Sequence, residues 1–202
     1  MSISEPARAR GRRTRARILE CAADLFAAQG HSAVSVAAIA RAAQAYPHQI
    51  TYYFGSKDGL FVHAALSTLL REARRLESVG LRRRTPGAFR TALARTALAL
   101  PAVPAAIQAM SIARVRPELQ PVAQTYLAVL FRQAEHYLVT LLDRRDWAVD
   151  RPASVEVRTF WSAVLGARLI FESGYGGRST DVDLAGLLTV RTRQDRRDRS
   201  GG

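Results

Sequence analysis

Apolar residues recur three and four positions apart along most of this chain, and no segment shows the strict alternation of a half-buried strand. Ile18, Leu19, Ala22, Leu25 and Phe26 define one face of a first helix over 14–29, which Gly30 ends as a C-cap. Ser35 is a good N-cap for a second helix reaching residue 43. After Gln44, Ala45 and Tyr46, Pro47 takes the first position of a third helix, where its missing N–H costs nothing, and Gly55 ends it. Ser56 caps a fourth helix running to about residue 78, with Asp58 in its first turn complementing the helix dipole. A linker with three arginines and Pro86 follows at 80–87. Further helices are predicted at 87–100, 103–115, 118–145, 154–173 and 183–193, punctuated by Pro101, Pro104, Pro117, Pro152 and the glycines at 174–177. The expected fold is all-α, with about nine helices in all.

The third predicted helix carries the most chemistry. Ile50 and Phe54, four apart, form an inward face, which leaves His48, Gln49, Thr51 and Tyr52 pointing outward. Two short helices around a tight turn, with polar side chains at the start of the second, are the grammar of a helix-turn-helix that enters a DNA major groove. Gln49 has the atoms to pair bidentately with adenine, and the Thr51 methyl can meet a thymine methyl. Tyr52, Tyr53 and Lys57 are placed to contact phosphates, as are the free N–H groups behind Ser35. Arg15, with Arg12 and Arg13 before it, is a candidate for an adjacent minor groove. A helical hairpin used only for packing is the plain alternative, and the outward polar residues argue against it.

At these residues the chain resembles the TetR family of bacterial transcriptional regulators. The resemblance covers about Thr14 to Phe61 and rests on TRARILECAADLFAAQG, VSVAAIA and ITYYFGSKDGLF taken together. It implies an N-terminal three-helix DNA-binding domain and a larger helical ligand-binding and dimerisation domain, usually in a repressor. By the family's pattern Pro47, His48, Gln49, Thr51 and Tyr52 fall at or near base-reading positions, and Tyr53 and Lys57 at phosphate-contacting ones. Three residues depart from that pattern. Gln44 stands where the turn usually has Gly and must accept an unfavourable φ unless the turn differs. Tyr46 replaces a capping Ser or Thr, and Thr51 replaces a frequent Tyr. The expected organisation is a disordered basic arm at 1–13, the DNA-binding domain at 14–58, the helical domain at 59–193 and a disordered basic tail at 194–202.

Composition narrows the partners. With 30 Lys and Arg against 17 Asp and Glu, the net charge is +13, which favours nucleic acid first and an anionic membrane surface second. The arginine-rich segments at 8–17 and 191–199 supply much of that charge by themselves. One cysteine, Cys21, excludes an intramolecular disulfide and fits a reducing, cytoplasmic setting; its neighbours predict a small buried side chain. The N-terminus lacks a secretory pattern. Arg114, Arg132 and Arg168 interrupt the apolar runs, so no membrane span is expected. His31, His48, His63 and His136 lack metal-ligand spacing, and no phosphate loop or nucleophile motif occurs, so no metal, cofactor or catalytic site is expected.

In the rear domain, Phe89, Leu93, Met110, Tyr126, Leu130, Tyr137, Trp161 and Arg168 are candidates for a small-molecule pocket, against ordinary core packing. Ala163, Gly166, Ala167, Ile170 and Gly174, with Leu184, Leu187 and Leu188, are candidates for a homodimer interface, against intrachain packing of the same stripes. The expected function is a ligand-responsive regulator that binds a palindromic operator on double-stranded DNA as a homodimer. The alternatives are a nonspecific architectural nucleic-acid binder, and an all-helical small-molecule-binding protein or enzyme without an operator.

Overall fold

The computed structural model describes residues 5–175, 177–178 and 181–194. It is all-α with one minimal β-ribbon. The helices are α1 (Glu5–Ala33), α2 (Val36–Ala42), α3 (Pro47–Phe54), α4 (Lys57–Ala73), α5 (Glu77–Arg82), α6 (Pro86–Leu98), α7 (Ala102–Val115), α8 (Gln120–Arg145), α9 (Ala153–Glu172) and α10 (Leu184–Leu187). Short 3-10 turns precede α5 and α8. Strands β1 (Trp147–Ala148) and β2 (Arg191–Thr192) pair antiparallel.

Local chemistry explains the front elements. Ser35 Oγ accepts the Ala38 N–H at 3.1 Å, and Thr85 Oγ1 caps α6 at Ala88 in the same way, with Pro86 at its first position. Gly30, at φ 79° and ψ 161°, breaks α1 where a side chain would be strained.

The chain forms two compact units. The first holds the described residues up to Thr68 together with Gln108–Gln124, and the second holds Leu69–Ile107 with the described residues from Thr125 onward. The boundaries of these units fall inside α4, α7 and α8. The first core gathers Ile18, Ala22, Phe26, Ile39, Ile50, Phe54 and Phe61, with Phe26 and Phe61 edge to face at 5.0 Å. The second gathers Phe89, Leu93, Phe160, Trp161, Val164, Leu184 and Leu188.

Four expectations are corrected. The arm at 1–13 was expected to be disordered, yet α1 is helical from Glu5; alanine and arginine favour helix, and an acid and a proline suit its first turn. Residues 1–4 and most of the tail at 194–202 lie outside the described residues. The long last helix at 183–193 is instead the single turn α10, followed by extended chain and β2. The absence of strands fails at β1 and β2, each two residues long and too short to alternate. Cys21 is a free thiol only partly buried, not a core residue.

A buried carboxylate explains the last segment. Glu156, fully buried, accepts Thr189 Oγ1–H at 2.5 Å, the Thr189 N–H at 3.2 Å and Arg151 Nε–H at 2.9 Å. Arg151 also donates to Leu187 O, Arg90 donates to Leu188 O at 3.1 Å, and Arg191 pairs with Asp150. Residues 183–192 thus form a strap in which side chains satisfy Leu187 O, Leu188 O and Thr189 N–H where α10 ends, before β2 pairs with β1. Glu156→Ala removes the acceptor that three donors share, and is expected to lower the unfolding free energy by about 2–3 kcal/mol. Urea denaturation checks this, and an unchanged midpoint would mean that the strap is held by its apolar residues alone.

Candidate functional site

The turn between α2 and α3 is held from outside. Gln44 adopts φ 45°, the left-handed conformation that a glycine would take without cost. Arg17, one turn beyond Arg13 on α1, donates to Gln44 O at 3.1 Å, and Ala45 N–H closes onto Ala40 O at 2.9 Å. Tyr46 has extended dihedrals at the N-cap of α3 and makes no side-chain cap. Gln49 compensates: its Oε1 accepts the Tyr46 N–H at 3.0 Å, half of a capping box. The ring of Tyr46 stacks on His48 with centroids 5.6 Å apart.

Ile50 and Phe54 are buried, while Pro47, His48, Thr51 and Tyr52 are exposed and Tyr53 is half-buried. Of the residues expected to point outward, His48, Thr51 and Tyr52 do so and Gln49 does not. Four of the expected contact residues are engaged within the protein. Gln49 is half-buried and spends its carbonyl oxygen on the cap, so bidentate pairing with adenine requires that bond to open. Arg15 does not project freely; its guanidinium lies 5.0 Å above the Phe54 ring. Lys57 donates from Nζ to His31 O at 3.0 Å and Val34 O at 3.1 Å, leaving one N–H for anything else. Ser35 is likewise committed to its cap. Arg17 and Tyr46 were not among the expected site residues. Arg17 lay in a run of similar arginines, and the left-handed turn at Gln44 was the only hint that one of them had a fixed partner.

Next to Lys57, Asp58 bonds His31 Nε2 at 2.9 Å and Arg116 at 2.8 Å. His63 packs on Phe54, and its pKa is lowered to about 4 by burial first and by the Arg15 charge second.

In the rear unit, Phe89, Leu93, Leu130, Tyr137 and Trp161 line one apolar cavity together with Phe160 and Leu188. About 60 Å³ of it is open to water centres. Met110, Tyr126 and Arg168 are not among its lining residues. Met110 belongs to the first unit, and Arg168 pairs with Glu172 at 2.5 Å one turn away, over the Phe171 ring. Phe160 and Leu188 were not among the pocket candidates; the helical spacing had placed Leu188 at the interface.

Two independent matches decide the family. The model "Bacterial regulatory proteins, tetR family" matches residues 18–64, and "Bacterial transcriptional repressor C-terminal" matches residues 86–189, half of the chain. The chain belongs to the TetR family. A protein assigned as a transcriptional regulator from Rhodococcus sp. RHA1 is 31% identical over 86% of this chain and 93% of its own, with TM-score 0.71. A regulator from Saccharomonospora viridis, solved in complex with choline, is 19% identical over 86% and 92%, with TM-score 0.57. The multidrug-binding protein EbrR, solved with imidazole, is 21% identical over 88% and 93%, with TM-score 0.52. No protein of curated function matches the chain. This TetR-family chain is a transcriptional regulator with a helix-turn-helix DNA-binding domain and a helical C-terminal domain. Among the described residues no single helix is long and apolar enough to cross a membrane.

The interface candidates separate. Ala167, Leu184 and Leu188 are buried within the protomer, and α10 is one turn. Ala163, Gly166 and Leu187 are partly exposed, Ile170 and Gly174 are exposed, and nothing lies above Gly166.

Two outcomes follow for the front unit. Gln49→Ala opens the capping box and is expected to cost about 1 kcal/mol of stability, read from urea midpoints; no loss would return Gln49 to base reading alone. His63 stays neutral in the folded protein down to about pH 4, whereas the unfolded chain takes up a proton near pH 6.5. Stability is therefore complete above that value and falls as pH drops from about 6.5 to 4. The melting temperature of His63→Gln is expected to fall less than that of the parent across this window, and equal slopes would refute the assignment.

Proposed function

We propose that this protein is a homodimeric repressor that places α3 of each protomer in a major groove of a palindromic operator and leaves it when a small molecule occupies the rear cavity. The carrying observation is the row Pro47, His48, Thr51 and Tyr52, exposed at the start of a helix whose buried face and capped turn fix its orientation. Exposed side chains are available for base edges, and their rigid base reduces the ordering cost on binding. In this reading His48, Thr51 and Tyr52 read bases, Gln49 does so after releasing its cap, and Tyr53, Arg15 and the remaining N–H of Lys57 meet phosphates.

A two-fold operator requires a two-fold protein. The exposed row on α9, with Val155, Leu169 and Ile170 beside the open space over Gly166, is the surface assigned to the partner protomer. The choline and imidazole complexes of the relatives support a small-molecule effector for the rear unit. Effector binding shifts the population away from the DNA-competent state by its difference in affinity for the two states.

Selection from a randomised duplex library at physiological salt tests the proposal. The expected result is a two-fold symmetric site preferred over scrambled DNA by about 10³-fold or more. His48→Ala is expected to relax one or two base positions in each half-site, by roughly 10- to 100-fold in discrimination. Binding without preference and with steep salt dependence would instead mean a nonspecific arginine-driven binder.

A further inference from the structure

We propose that the effector is a small amphiphile with a compact apolar body and an anionic head, a single-ring or short-chain carboxylate. This rests on the rear cavity being the effector site. The inner chamber is walled by Leu76, Phe89, Leu130, Phe160 and Trp161, among others, and offers almost no polar surface. Its 60 Å³ open to water centres holds roughly four to six waters, or room for an apolar body of about one ring. A charged group among the rings of Phe89, Phe160 and Trp161 would be unpaired, so the head must sit toward the end lined by Arg74, Gln133 and Tyr137.

A second, wider space adjoins it. Arg74, Glu77, Gln133 and Tyr137 line both spaces, and Arg144, His136 and Thr140 line only the outer one. This vestibule is rich in donors. Among the described residues neither Arg74 nor Arg144 forms an ion pair, although other arginines of the same unit do. Glu77 is the single acid among the lining residues of the two spaces.

The junction is marked by Tyr137. Its hydroxyl oxygen accepts the Gly80 N–H at 3.0 Å, which leaves its own hydrogen to donate. Burial pushes its pKa up to about 12, so the hydrogen stays in place at neutral pH. Gly80 is required here, because a β-carbon on it would collide with that hydroxyl and with Leu141. A fixed O–H and two unpaired guanidiniums at the mouth of a dry chamber match a carboxylate on an apolar stem.

The test uses the full chain and three probes with one body: 3-phenylpropionate, 3-phenylpropan-1-ol and 3-phenylpropylamine, titrated by calorimetry and by tryptophan fluorescence. The acid is expected to bind at least about tenfold tighter than the alcohol, and the amine weakest. The double variant Arg74→Gln, Arg144→Gln, both at exposed positions, is expected to erase the preference for the acid and leave the affinity for the alcohol unchanged. If the alcohol or the amine binds as tightly as the acid, the cavity is a ligand site and the anionic class is wrong. If the double variant keeps the acid preference, the head does not sit in this vestibule and the assignment falls. If none of the three binds, the cavity reading itself fails, and the proposal with it.

Discussion

The front unit depends on where α1 leaves its last carbonyls. A helix that ends beneath other structure must find donors for them, and here the donor is Lys57, the only lysine of the chain. Gly30 turns the end of α1 so that His31 O and Val34 O face the start of α4. The next residue, Asp58, takes the His31 ring and Arg116, and the next, Gly59, has no room for a β-carbon against Phe54 O. Three successive residues thus fix the end of α1, the end of α3 and the start of α4. The exposed face of α3 is held by this junction more than by anything on α3 itself.

Legibility followed the range of the forces. The cap at Ser35, the proline at the start of α3 and the buried pair Ile50 and Phe54 are local, and the spacing alone placed them correctly; the cap at Thr85 is local too, but the arginines beside it made 80–87 read as linker. The unfavourable φ of Gln44 was also readable, because a residue stood where the turn wants glycine. What the pattern could not carry was the partner of each polar group. Lys57 and Arg15 looked like surface cations, and their acceptors lie on other helices. In the rear, Leu184, Leu187 and Leu188 have helical spacing, yet Thr189 is captured by Glu156, 33 residues earlier, and the helix stops. No periodicity announces a bond of that range. Charge misled at the N-terminal arm, where a polar, arginine-rich stretch looked disordered while its helix-forming residues carried α1 upstream.

The rear unit combines two solvents in one site. Apolar side chains surround a small chamber, and Arg74 and Arg144, exposed and without an ion pair among the described residues, stand at its mouth. On the proposed reading, discrimination rests on where a ligand keeps its charge, since a misplaced charge meets either hydrocarbon or a guanidinium. Size sets a second limit, because neighbouring rings and leucines already fill most of the available volume.

The strap has a consequence for synthesis on the ribosome. Leu184, Leu188 and Val190 complete the rear core, and β2 pairs with β1 from the far end of the chain. The front unit has all its parts once residue 124 has emerged, and it can close while translation continues. The rear unit must wait with its apolar wall open until Thr192 is released. A nascent chain therefore presents a complete helix-turn-helix unit before the rear cavity and the exposed face of α9 exist.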